Sequence, residues 1–199
     1  VSEKSRAAAE LTAIGGCGLL NILIESAWMS AKVPVLAAVA LGWAAYLIRR
    51  RARWRDWGWR TDNLRALAPP LMALSLAALL AGAAFARGPL PAASLWIFAI
   101  YPVWGLLQQF ALQVLVTRNL RAVGLAPFLC ATIAALLFGL SHWPDAALAG
   151  LTGAAGLLWS ALYLWRPNLW ALGLCHAWLG TLAYYWVLHR DPWGEMFRF

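Results

Sequence analysis

The sequence predicts an all-α, polytopic membrane bundle of about seven transmembrane helices. Composition is the first reason: 63% of the 199 residues are hydrophobic and the mean hydropathy is +0.66. Charge is the second, because only 12% of residues are charged, where a soluble domain carries about 25%. The third is the length of the apolar runs, roughly 15 to 23 residues each, near the ~20 that cross a ~30 Å hydrocarbon core. Strands are excluded, since the runs do not alternate and an open sheet edge cannot be satisfied in lipid.

The elements follow in order. A polar start over residues 1–10 precedes a first run at 11–30. No small-residue cleavage site follows that run, so it is read as a retained helix. Lys32 and Pro34 mark a break before a shorter run at 35–48. After an arginine-rich loop comes 66–86, with Pro69 and Pro70 expected in its first turn, where a missing amide donor costs little. The fourth run is 94–116, followed by a basic loop at 117–125. Runs at 127–143, 146–165 and 168–188 complete the set. The second and fifth are short, so one of them is expected to tilt or re-enter. Gly150, Gly153 and Gly156 place a small-residue stripe on the sixth helix, a packing signal. The expected layout is a two-helix segment and basic loop at 1–56, a helical core at 57–188 and a short tail at 189–199.

A net charge of +8 raises the question of nucleic acid, but its placement answers against it. Seven of the sixteen Lys and Arg residues lie between Arg49 and Arg65, flanked by apolar runs. That is a positive-inside loop. Its arginines interleave with Trp54, Trp57 and Trp59, as expected of a chain lying on anionic headgroups. With the N-terminus inside, twelve cations fall on the cytoplasmic side and four outside, which puts the C-terminus outside. The expected setting is an integral protein of a bacterial inner membrane, with the lipid bilayer as its first partner. Cys17, Cys130 and Cys175 sit in apolar runs without disulfide or metal spacing and read as small hydrophobes. The fourteen tryptophans make the chain tryptophan-rich and suit interfacial anchoring and packing.

Polar side chains inside these helices are costly unless satisfied. Glu25, with Asn21 one turn earlier, is read first as a hydrogen-bonded packing residue and second as a proton carrier. Gln108, Gln109 and Gln113 crowd one helix, with Gln109 and Gln113 at i, i+4. His142 ends the fifth run and His176 lies in the seventh. By rise per residue, Gln108 lies roughly 12 Å in from Val116 and His176 roughly 12 Å in from Asn168, so their depths agree. His142 falls near 22 Å from Pro127 by the same measure, which requires a tilted or deeper-starting fifth helix.

These residues resemble the CPBP family of intramembrane glutamic proteases, which includes the type II CAAX prenyl proteases and bacteriocin-processing proteins. Its pattern is a glutamate pair followed four residues later by arginine, then FxxxH, then HxxxN, on successive helices. Phe138 and His142 stand as FxxxH, and His176 follows an Arg166-Pro167-Asn168 turn. The stretch from Trp57 through Arg65 is similar to the basic linker before the family core. The resemblance implies that Gln108 and Gln109 occupy the glutamate positions, Gln113 the arginine position and Gly180 the asparagine position. In the family the glutamate is held to activate water with histidine help, and the asparagine to steady the oxyanion.

The departures fall on the chemistry. A glutamine amide cannot take a proton from water near neutral pH, and Gly180 has no side chain to offer an oxyanion. Anions and cation are missing together, so no buried charge is stranded. The expected function is a CAAX-protease-like membrane protein with a degenerate site, a pseudoenzyme acting as accessory or binding subunit beside other membrane proteins. One alternative is an intramembrane endopeptidase with altered residues, using His142, His176 or Glu25 as base. Another is a metal or haem site on the two histidines. The sequence names no cofactor.

Overall fold

The computed structural model describes residues 2–27, 29–50 and 54–193, and for 21–37, 40 and 50 the backbone alone. The side chains of Asn21 and Glu25 therefore lie outside the described residues, as do Arg51 and Arg53. All regular structure among the described residues is helical: α1 (Glu3–Ala27), α2 (Met29–Arg50), α3 (Leu64–Phe85), α4 (Ser94–Gln109), α5 (Asn119–Ala122), α6 (Pro127–Leu140), α7 (Ala146–Trp165) and α8 (Leu169–Leu182). A short 3-10 turn spans Trp54–Trp57, and π-helical turns follow α4 at Phe110–Arg118 and α8 at Ala183–Val187.

Every apolar run forms a helix, with shifted ends. The polar start belongs to α1, and Lys32 and Pro34 lie inside the first turns of α2. Helix α3 begins two residues early, so Pro69 and Pro70 fall in its second turn. The expected basic loop at 117–125 is largely helix, because α4, its π segment and α5 run on to Ala122. The reason is internal satisfaction of the polar side chains: Thr117 Oγ1 donates to Leu112 O at 2.9 Å, and Asn119 Nδ2 donates to Leu115 O at 3.0 Å. Among the described residues, three helices are long and apolar enough to cross a membrane: Leu64–Phe85, Ser94–Ala122 and Ala146–Trp165. Pro127–Leu140 is a shorter apolar helix, opened by a proline at a position where its missing N–H costs nothing.

The chain divides into two compact units. The first comprises 1–57 and 111–164. Its core is Leu112, Val116, Leu120, Cys130, Ala134 and Phe138, with Leu11, Ile14 and Leu164 packed against it. Of the glycine stripe, Gly156 abuts Ala135 and Phe138, and Gly153 faces Gly139, while Gly150 meets nothing. Trp57 is buried, and its carbonyl accepts a hydrogen bond from the Tyr163 hydroxyl at 3.0 Å. This tryptophan is thus a packing residue of the unit, whereas Trp54 is exposed as expected for the headgroup region.

The second unit comprises 58–110 and 165–199, and the described part of it packs α8 against α3 and, most closely, against α4. A Cβ at Gly105 would lie 2.8 Å from Gly173 O, so the two backbones meet where only glycine fits. Asn168 caps α8, its Oδ1 accepting from Ala171 N at 2.9 Å. Its amide also donates to Asn63 Oδ1 at 2.7 Å, and Asn63 donates in turn to Pro167 O at 3.1 Å. Gly58, at φ +97°, lends its carbonyl to Leu169 N at 2.8 Å; that left-handed backbone favours glycine. Trp59 stacks edge-on to Trp170, so it too is a packing residue rather than a headgroup anchor.

Candidate functional site

In the second unit, α4 presents Gln108 and Gln109, and α8 presents His176 and Gly180. Gln109 is fully buried and His176 nearly so. The structure brings these two together: Gln109 Nε2 lies 2.9 Å from His176 Nδ1. An amide nitrogen can only donate, so Nδ1 accepts and the neutral imidazole carries its proton on Nε2. The depth read from the helix rise paired Gln108 with His176, and the residue that bonds the imidazole is its neighbour Gln109. Gln108 is half-buried, and its Oε1 is enclosed without a hydrogen-bond partner among the described residues.

Gly180, one turn beyond His176, is open only in the sense of lacking a side chain. A Cβ there would meet Tyr101 Cε1 at 2.7 Å and the Tyr101 hydroxyl at 3.4 Å. The Tyr101 ring also stands edge-on to the His176 imidazole, centroids 6.3 Å apart and planes at 88°. Tyr101 was not among the residues singled out in the sequence. No spacing marks it, since aromatic residues are common in such helices, and only the clash at position 180 reveals its place.

Two further candidates belong to the first unit. Gln113 is fully buried in the π-helical segment between Leu112 and Val114. His142 lies in the turn after α6, where its Nδ1 bonds Phe138 O at 2.8 Å. A carbonyl accepts only, so here Nδ1 bears the proton, the opposite assignment to His176. The Phe138 ring stands edge-on to the imidazole at 5.0 Å, the physical content of the FxxxH spacing. The Ser141 hydroxyl donates to the same carbonyl at 2.8 Å.

The first unit also holds a buried carboxylate that the sequence reading passed over within its polar start. Glu10 is 3% exposed and accepts from the Tyr46 hydroxyl at 2.7 Å and from Asn119 Nδ2 at 2.8 Å. It walls a cavity of about 420 Å³ with Ala13, Cys17, Trp43 and Tyr46. The signal in the sequence was weak: Glu10 lies one turn from apolar Ile14, but at the charged end of the run. The three cysteines are free thiols. Among the described residues, no three His, Cys, Asp or Glu side chains converge as metal ligands.

What the fold and site define is an all-helical protein with membrane-length helices and a neutral glutamine–histidine pair where α4 meets α8. Residues 91–182 match the family model described as type II CAAX prenyl endopeptidase Rce1-like. The matched stretch runs from just before α4 to the end of α8 and contains all six candidate positions. It bears out the resemblance drawn from the sequence, and with the three spanning helices it marks an integral membrane protein in contact with lipid. No curated protein and no solved structure matches the chain.

Proposed function

We propose that this chain is a CAAX-protease-like membrane protein whose site has lost hydrolytic chemistry, serving as a binding or accessory subunit of a membrane complex. The observation that carries this reading is the bond from Gln109 to His176. In a hydrolytic site a carboxylate would accept a proton and hold charge beside the imidazole. An amide does neither. By donating to Nδ1 it leaves Nε2 protonated, so His176 presents a hydrogen-bond donor instead of a base.

The same reading takes Gln108, Gln109, Gln113, His142, His176 and Gly180 as the positions of the ancestral site. It places seven crossings in a bacterial inner membrane, the N-terminus inside and the C-terminus outside, with 57–188 as the core. The coordinated absence of anions and cation supports it, because no unpaired charge is left to bury.

Purification in mild detergent tests the proposal, together with assays on prenylated and membrane-peptide substrates. A stoichiometric membrane partner and no turnover are expected. Turnover that disappears in His176→Ala but survives in the exposed control Arg87→Ala would overturn it.

A further inference from the structure

We propose that the cavity between α1 and α2 binds a primary ammonium group carried on an apolar chain, with Glu10 as its counter-ion. The site lies within the first unit and uses none of the six candidate positions. Glu10, Trp43 and Tyr46 all precede the stretch 91–182 that matches the family model.

Glu10 is nearly inaccessible to solvent, yet it walls an open volume of about 420 Å³. The Tyr46 hydroxyl and Asn119 Nδ2 each donate to it and fix the carboxylate in the wall. Asn119 Nδ2 also donates to Leu115 O, while Asn119 Oδ1 is buried without a hydrogen-bond partner among the described residues. That oxygen is two bonds from the nitrogen that donates to Glu10. A carboxylate and an orphaned amide oxygen therefore stand side by side, and both are acceptors. Leaving a buried acceptor unpaired is costly. What completes the set is a donor that carries positive charge.

The walls say what bears that charge. Trp43 and Tyr46 line the cavity with ring centroids 5.8 Å apart and planes at 84°. Two rings set at right angles form the kind of corner that attracts an ammonium group. Ala9, Ala13, Cys17, Val39 and Gly42 supply the rest of the lining. These residues are small and uncharged, which leaves room for a hydrocarbon chain. The volume falls in the range of about 300–1,000 Å³ usual for ligand pockets. An ammonium has three N–H donors, enough for Glu10, Asn119 Oδ1 and an aromatic face. An alcohol brings one donor and no charge, and an anion is repelled by Glu10.

The test uses the full chain in phosphatidylcholine nanodiscs, whose headgroups carry no N–H donor, with radiolabelled n-octylammonium at neutral pH. Saturable, stoichiometric binding above that of empty nanodiscs is expected, with octanol and octanoate at least about tenfold weaker. Glu10→Gln removes the charge and should weaken octylammonium binding about tenfold or more. Val39→Trp fills the cavity from a half-buried position on α2 and leaves Glu10, Tyr46 and Asn119 in place. It should abolish binding, and it decides the matter if Glu10→Gln does not fold. Nanodiscs containing phosphatidylethanolamine separate the sources of the group. Displacement of octylammonium there supports a lipid headgroup as the natural occupant, and undisturbed binding supports a free amine. No saturable binding by the parent, octanol binding as tightly as octylammonium, or undiminished binding in a folded Glu10→Gln or Val39→Trp protein would each overturn the inference.

Discussion

Gln109 and His176 face each other across the α4–α8 contact with 2.9 Å between amide nitrogen and Nδ1, both buried. Each satisfies the other where water has little access. Removing one partner leaves a buried polar group unsatisfied, whereas removing both does not.

Gln109→Leu is accordingly expected to destabilise the protein by about 1–3 kcal/mol. His176→Leu should cost a similar amount, and the double variant less than the sum, with a coupling of about 1 kcal/mol. Thermal unfolding in detergent across this cycle measures it. Strict additivity would mean that the two side chains do not depend on each other.

At the start of α8, Asn168 caps the helix and tethers Asn63 at once. Asn168→Ala should lower stability by about 1–2 kcal/mol. Asn168→Asp retains the capping oxygen and loses only the amide donor, so it should recover part of that loss. Equal losses in both variants would assign the whole effect to the tether.

Glu10 offers a contrast, since its carboxylate holds Tyr46 and Asn119 together. Glu10→Leu removes an acceptor shared by Tyr46 and Asn119 and should cost about 1–3 kcal/mol, with Glu10→Gln intermediate. Denaturant unfolding of the three proteins orders them. A Leu variant as stable as the parent would make the carboxylate dispensable to the first unit.

The crowding at position 180 gives a fourth expectation. Gly180→Ala drives a methyl group into the Tyr101 ring and should cost about 1–3 kcal/mol as overpacking. Combined with Tyr101→Leu, the alanine should be tolerated better than in the parent. If its cost is unchanged, the ring is not what limits the space.

Much of this architecture was legible because lipid makes burial uniform. Long apolar runs leave the chain little choice but helix, and among the described residues every run is helical over most of its length. Boundaries were less legible where polar side chains are satisfied inside the helix, as with Thr117 and Asn119, which read as loop and are buried. In the site, helix rise put Gln108 level with His176, while the residue that bonds the imidazole is its neighbour Gln109. Tyr101 could not be found that way. Its place depends on what is missing from Gly180 on another helix, and an absence has no periodicity. Trp57 and Trp59 misled for a related reason, because arginine neighbours suggest a surface while their rings pack inward.

The Tyr101–Gly180 arrangement also bears on the history such a site can have. A single substitution placing asparagine at position 180 would collide with a ring already in place, so that step is blocked until Tyr101 has shrunk. Shrinking Tyr101 first would open a void beside His176. Each route passes through a poorer protein, so the pair behaves as a latch that holds both residues as they are.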